Sequence, residues 1–247
     1  MRKISVSKIR PWLILAFLVV EAALAVLIQG SHGIVESAHC YSVVVLAFLS
    51  SLAFLSRERE RILLILGLFF TLVADFFLVI LDDYYSVAVS FFSVVQLAYA
   101  ARIYFETDSE MRRRVELWVR IAVSLLSVAV PFILLGAKAD YLSVICVFYF
   151  ANLLLNAIFA STHINIKGDW LFAVGLILFC LCDVFVGFSK LGRYFKIERD
   201  TFAWWLAHPG FKAAWVFYVP SQALIALSPL WRCRRQARSP SSVSDGV

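Results

Sequence analysis

Two aspartates stand alone inside apolar stretches, Asp75 in GLFFTLVADFFLVI and Asp183 in GLILFCLCDVFVGF. An ionised carboxylate at the centre of a bilayer costs about 2.5–3.5 kcal/mol on insertion scales, so each must be placed for a reason. The two stretches also match one another. At an offset of 108 residues Gly67 falls on Gly175, Leu68 on Leu176, Asp75 on Asp183 and Phe77 on Phe185. Repetition of this kind points to a paired site. Two carboxyl groups close together in low dielectric cannot both ionise, so they share a proton. One is then a general acid at neutral pH, and the other a base or an anionic stabiliser. The competing reading is two independent buried acids, each satisfied by polar groups of neighbouring helices.

The elements that must hold these aspartates follow from hydropathy. Of 247 residues, 62% are hydrophobic and 16% charged, with a mean hydropathy of +0.85. Soluble domains are nearer about 45–50% apolar. The chain is therefore expected to be all-α, a polytopic membrane helix bundle. Apolar runs of about 20 residues give eight spans. They lie near residues 11–29, 40–55, 62–81, 84–104, 117–136, 140–160, 170–189 and 212–231. The first run is too long for a signal-peptide core and lacks a small-residue cleavage site, so it is kept as a span. Residues 1–231 then form a single transmembrane domain, and residues 232–247 a basic, then disordered tail. Eight spans and an offset of 108 predict a duplication of four plus four. Four is even, so the repeat is parallel, about an axis along the membrane normal. Each aspartate lies 13 residues into its span, about 20 Å along a helix and beyond the midplane.

The net charge of +6 is assigned to the positive-inside bias and not to nucleic acid. With the N-terminus inside, 17 of the 23 Lys and Arg residues fall on the cytoplasmic side. Both termini are thus expected in the cytoplasm, in the endoplasmic reticulum if the cell is eukaryotic and the plasma membrane if it is bacterial. Membrane lipids are the expected surroundings, and a homo-oligomer is left open. The seventh connection breaks the bias, with Lys190, Arg193, Lys196, Arg199 and Lys212 outside.

Other polar residues could support the carboxylates. Span 4 carries Gln96 and Tyr99 on the face of Phe92; span 8 carries Tyr218 and Gln222 one turn apart. Intramembrane amides most often staple helices together; the alternative is that they orient the carboxylates or a water. Tyr149, Asn152 and Asn156 form a stripe read as helix packing. Glu21, in span 1, either joins the site or staples the bundle. All four histidines fall in connections or at span edges, so no metal site and no cofactor are expected. Cys180 and Cys182, two apart on a helix, point in different directions and make no metal pair.

At these residues the chain resembles the lysoplasmalogenase family of membrane proteins, the YhhN-like group. Its first signature is matched by Ala74-Asp75, Leu78, Tyr85, Ala88, Phe92, Gln96 and Tyr99. The second is matched by Gly175, Phe179, Cys182-Asp183 and Ser189-Lys190, and the last-helix Tyr-x-x-x-Gln by Tyr218 and Gln222. Departures are Gln96 for the family His, Ala74 for Gly and Cys182 for Ser. The resemblance implies hydrolysis of the vinyl ether of a lysoplasmalogen, giving a fatty aldehyde and a glycerophospho-base. Asp75 and Asp183 would be catalytic, with Gln96, Tyr99, Tyr218 and Gln222 supporting them. Lys190 and Arg193, beyond span 7 on the aspartates' side, are expected to meet the substrate phosphate; a solvated loop is the plainer reading. Competing functions are a proton-coupled transporter and a catalytically inactive lipid-binding protein.

Overall fold

The computed structural model describes residues 6–53, 59–107, 109–167, 170–191, 194–199 and 201–236. Nine α-helices lie in these residues: α1 (Val6–Gly30), α2 (Gly33–Ala53), α3 (Arg59–Asp75), α4 (Tyr85–Glu106), α5 (Glu110–Leu135), α6 (Tyr141–Lys167), α7 (Trp170–Leu191), α8 (Phe202–Ala207) and α9 (Ala213–Gln236). The chain is an all-helical polytopic bundle. Seven helices among the described residues, α1 to α7, are long and apolar enough to cross a membrane. The eighth expected span corresponds to α9, which lies alongside α7. The expected tail from residue 237 onward lies outside the described residues.

Two helices, α2 and α5, start about two turns earlier than hydropathy suggests. α2 begins at Gly33, because Glu36 and His39 form polar first turns beyond the apolar slab. Glu36 pairs there with Lys212 at 2.7 Å. α5 begins at Glu110, behind Ser109, whose hydroxyl accepts from the Arg112 backbone N–H as an N-cap. Its first turns are charged, with Arg114 near Glu110 and Arg112 near Glu116. The connection after α7 is not all loop: it contains α8, whose Trp205 ring meets Phe185 of α7.

The four-plus-four repeat is visible in the packing. α1 packs on α2 as α5 packs on α6, and α2 on α3 as α6 on α7. α3 packs on α4 as α7 packs on α9; α4 meets α6 as α9 meets α2. The close approaches correspond too. A Cβ at Gly67 would come 2.2 Å from the Tyr99 ring, and one at Gly175 would come 2.7 Å from Ile225. The glycines are 108 apart, whereas Tyr99 and Ile225 are 126 apart. The second offset also carries Phe92 onto Tyr218 and Gln96 onto Gln222. The longer connection that holds α8 accounts for the change. A single offset therefore reveals only spans 3 and 7, and the similarity of spans 4 and 8 emerges with the folded chain. Both halves contribute to the main core, including Leu68, Phe92, Leu153, Leu176, Phe179 and Ile225.

Candidate active site

Asp75 is the last residue of regular helix in α3. The next five residues, Phe76–Ile80, form a π-helical turn. Such widened turns are rare and concentrate at functional sites. The chain then reverses through Asp82 and Tyr84, both with positive φ, 47° and 55°. Left-handed backbone is uncommon outside glycine, so this reversal is held by its surroundings. The Asp83 carboxylate accepts from the Tyr84 backbone N–H at 2.7 Å, and Asp82 from the Tyr85 hydroxyl at 2.6 Å. α7, by contrast, continues as regular helix past Asp183 to Leu191.

Asp75 is buried, with 2% of its surface exposed. Tyr218 of α9 donates its hydroxyl to Asp75 Oδ2. Asp183 is less enclosed, and Tyr149 of α6 donates its hydroxyl to Asp183 Oδ2. Asp183 lies within electrostatic range of Asp75, and Tyr218 and the Cys182 thiol lie within range of both carboxylates. The two phenols are joined by a wall of rings. Tyr149 meets Phe92 at 5.6 Å, Phe92 meets Phe179 at 5.9 Å, and Phe179 meets Tyr218 at 5.5 Å. The arrangement is two carboxyl groups, each fixed by a phenolic donor, against an apolar aromatic surface. It can hold a proton on one carboxyl group while the other remains an acceptor.

The supporting residues separate. Tyr218 reaches a carboxylate directly. Gln222, one turn away, is fully buried, and its amide meets no hydrogen-bond partner among the described residues. Gln96 is a staple: its backbone carbonyl and Oε1 accept from Asn156 at 2.8 and 3.0 Å. Asn156 Oδ1 in turn accepts from Arg120 at 2.7 Å. Tyr99 packs over Gly67 and edge-on to Phe172. Lys190, at the end of α7, is exposed, with its ammonium 4.7 Å from the Tyr85 ring centre. Arg193 lies outside the described residues.

Tyr149 was legible only as part of a packing stripe. Its signal was the repeat itself, because Tyr41 stands 108 residues before it. Tyr41 of α2 lies within electrostatic range of Asp75 and its ring touches Phe76.

A cavity of about 220 Å³ lies beyond the site, between α7, α9 and the start of α2. Val186 and Ser189 of α7, Phe211 and Trp215 line it, and the Glu36–Lys212 ion pair stands at its wall. Trp215 meets the Tyr218 ring at 5.3 Å, so the cavity and the Asp75–Tyr218 pair share a side chain as partition.

The profile of the YhhN family covers residues 35–229, from the first turn of α2 to near the middle of α9. No curated protein and no solved structure matches the chain.

Proposed function

We propose that this chain, which belongs to the YhhN family, the family that includes the lysoplasmalogenases, hydrolyses the vinyl ether bond of a lysophospholipid. The observation that carries the reading is the pair of tyrosine-held carboxyl groups, Asp75 and Asp183, within one electrostatic cluster. A vinyl ether needs an acid, an anion and a water, as a glycosidic bond does. The protonated aspartate gives its proton to the β-carbon, leaving an oxocarbenium ion on the carbon bonded to oxygen. Water adds to that carbon and loses a proton to the ionised partner. As the hemiacetal collapses, the partner returns this proton to the departing glycerol oxygen. The first aspartate recovers a proton from the hemiacetal hydroxyl as the aldehyde forms. The pair again holds one proton, ready for the next turnover.

The ring wall suits an alkenyl chain entering from lipid. The cavity beyond Trp215 suits the glycerophospho-base, and Lys190, which follows the cavity-lining Ser189, is the residue proposed for its phosphate. A carrier built on inverted or parallel repeats interrupts corresponding helices in both halves. Here the π-helical turn follows Asp75 while α7 runs on unbroken through Asp183, which favours the hydrolase over the transporter. We further propose both termini on the cytoplasmic side, from the 17-to-6 distribution of basic residues. The deciding experiment incubates purified protein with a lysoplasmalogen and scores released aldehyde. Cleavage that survives Asp75→Asn or Asp183→Asn would remove that residue from the mechanism. Absence of cleavage across choline and ethanolamine headgroups would end the reading.

A further inference from the structure

Glu21 is buried in α1, 3% exposed, and neither carboxylate oxygen meets a hydrogen-bond partner among the described residues. It lies in the chain before residue 35, outside the family match. Phe17, Glu21, Leu24 and Ile28 form one face of α1 at helical spacing. That face packs on α9: Phe17 clusters with Ala223 and Leu227, and Leu24 with Val219. The two helices are therefore antiparallel, and Glu21 stands level with the turn from Val219 to Ala223. This turn carries Ser221 and Gln222, both fully buried. The Ser221 hydroxyl and both amide atoms of Gln222 likewise meet no partner among the described residues. Tyr218, which holds Asp75, is one turn further along the same helix.

The other half of the repeat answers the equivalent amide's oxygen, while Gln96 Nε2 meets no partner among the described residues. Gln96 is held by Asn156, and Asn156 by Arg120. The residue 108 before Asn156 is Phe48, which offers Gln222 nothing. The residue 108 before Arg120 is Trp12, so this half carries no guanidinium there; the buried charged group of α1 is Glu21. Unanswered buried polar atoms destabilise a fold, since each gives up its hydrogen bonds to water without replacement. Ordered water is the usual answer where several such atoms converge.

We propose that Glu21, Ser221 and Gln222 form a hydrated proton-exchange branch between α1 and α9 that connects with the Asp75–Tyr218 pair. The role rests on the proposed hydrolysis, which consumes one water per turnover and requires one proton on the pair. Between turnovers, when the pair has lost its proton to solvent, a proton leaves the Glu21 carboxyl group for the branch waters as they pass another to the ionised Asp75; the reverse transfer restores Glu21. Glu21 is a positioning and exchange group and does not touch substrate. Among residues whose side chains are described, the titratable ones on the helices packed against α1 are Glu36, His39, Cys40 and Tyr41 of α2 and Tyr218 of α9, with Lys212 just before α9. Glu36 and Lys212 bind one another, and Lys212 also donates to the Ile28 carbonyl at 2.8 Å. That contact is seven residues from Glu21, about 10 Å along the helix.

The test uses the full chain in lipid nanodiscs with Glu21→Gln and Glu21→Leu. Infrared difference spectra between acid and alkaline pH should show a carboxylic acid band that disappears in Glu21→Gln and shifts within minutes of transfer to D2O. A Glu21 band that does not shift, or no such band, overturns the proposal, whether or not the protein is an enzyme. In the vinyl ether assay Glu21→Leu should lower kcat about tenfold or more, within the range of a proton-transfer contribution. Glu21→Gln should keep the fold and KM but change the pH–rate profile. An unchanged profile and kcat in Glu21→Gln would overturn the link to the aspartates. If the wild type cleaves nothing while the exchangeable band is present, the hydrolase reading fails and the branch stands.

Discussion

The two aspartates occupy equivalent places in a repeated unit, yet the protein treats them differently. Asp75 is nearly sealed, follows into a π-helical turn and is held from α9 by Tyr218. Asp183 lies in unbroken helix, is less enclosed and is held from the neighbouring helix of its own half by Tyr149. By the repeat, the position of Tyr218 is filled in the first half by Phe92, which has no hydroxyl to offer Asp183. The position of Tyr149 is filled by Tyr41, which keeps one. Duplication thus supplies two carboxyl groups at one depth. The presence or absence of single hydroxyls at matching positions makes their surroundings unequal, which is what a pair needs if one member is acid and the other base.

The most severe way to break this comparison is to remove either carboxylate. Asp75→Asn and Asp183→Asn should each lower kcat for vinyl ether cleavage by about 10²–10⁴-fold, the usual scale for a positioned acid or base. The double variant should be little worse than either single one if they act as a unit. Multiplying losses would show two independent groups.

Next come the phenols. Tyr218→Phe leaves a sealed carboxylate without its donor, whereas Tyr149→Phe leaves one that is less enclosed. An unanswered buried group costs about 1–3 kcal/mol, so the Tyr218 variant should lose more activity than the Tyr149 variant, by up to about 100-fold. Equal losses, measured as kcat in the same lipid, would mean that the structural asymmetry has no functional counterpart. Phe92→Tyr sharpens the test by offering Asp183 a second phenol.

The close approaches of the repeat give a stability comparison. Gly67→Ala drives a Cβ to 2.2 Å from the rigid Tyr99 ring, and Gly175→Ala drives one to 2.7 Å from the Ile225 side chain. Overpacking of this kind costs about 1–3 kcal/mol. Thermal unfolding in detergent should place Gly67→Ala below Gly175→Ala, and both below the wild type. The reverse order would mean that α3 and α4 adjust more readily than α7 and α9.

The smallest effect is expected at the far end of α7. Neutralising Lys190 should raise KM a few-fold with little change in kcat, because a phosphate contact is nearly the same in ground and transition states. The aspartate variants should show the opposite split. An unchanged KM for Lys190→Gln would leave that lysine as a solvated cap on Tyr85.

The fold class and the membrane helices were legible, and the two aspartates stood out, because each leaves a strong mark in one dimension. A run of apolar residues has few alternatives to a spanning helix, and a lone Asp within such a run is too expensive to be incidental. Spans 4 and 8 hid their kinship because α8 and its flanks changed the offset from 108 to 126. Gln96 and Gln222 looked alike as intramembrane amides; one proves stapled to Asn156 and the other unanswered.

By itself the sequence determined how much of this protein must be helix in a membrane and which two carboxyl groups stand out there, because hydropathy and charge are properties of residues and their spacing. Tertiary structure alone decided that Tyr149 meets Asp183, that Tyr218 crosses from the other half to Asp75, and that Glu21 stands level with Gln222. Those relations depend on which helix faces lie against one another and at what height. Such facing is set by interdigitating side chains and close-approach glycines across helices more than a hundred residues apart, for which no local pattern provides a code.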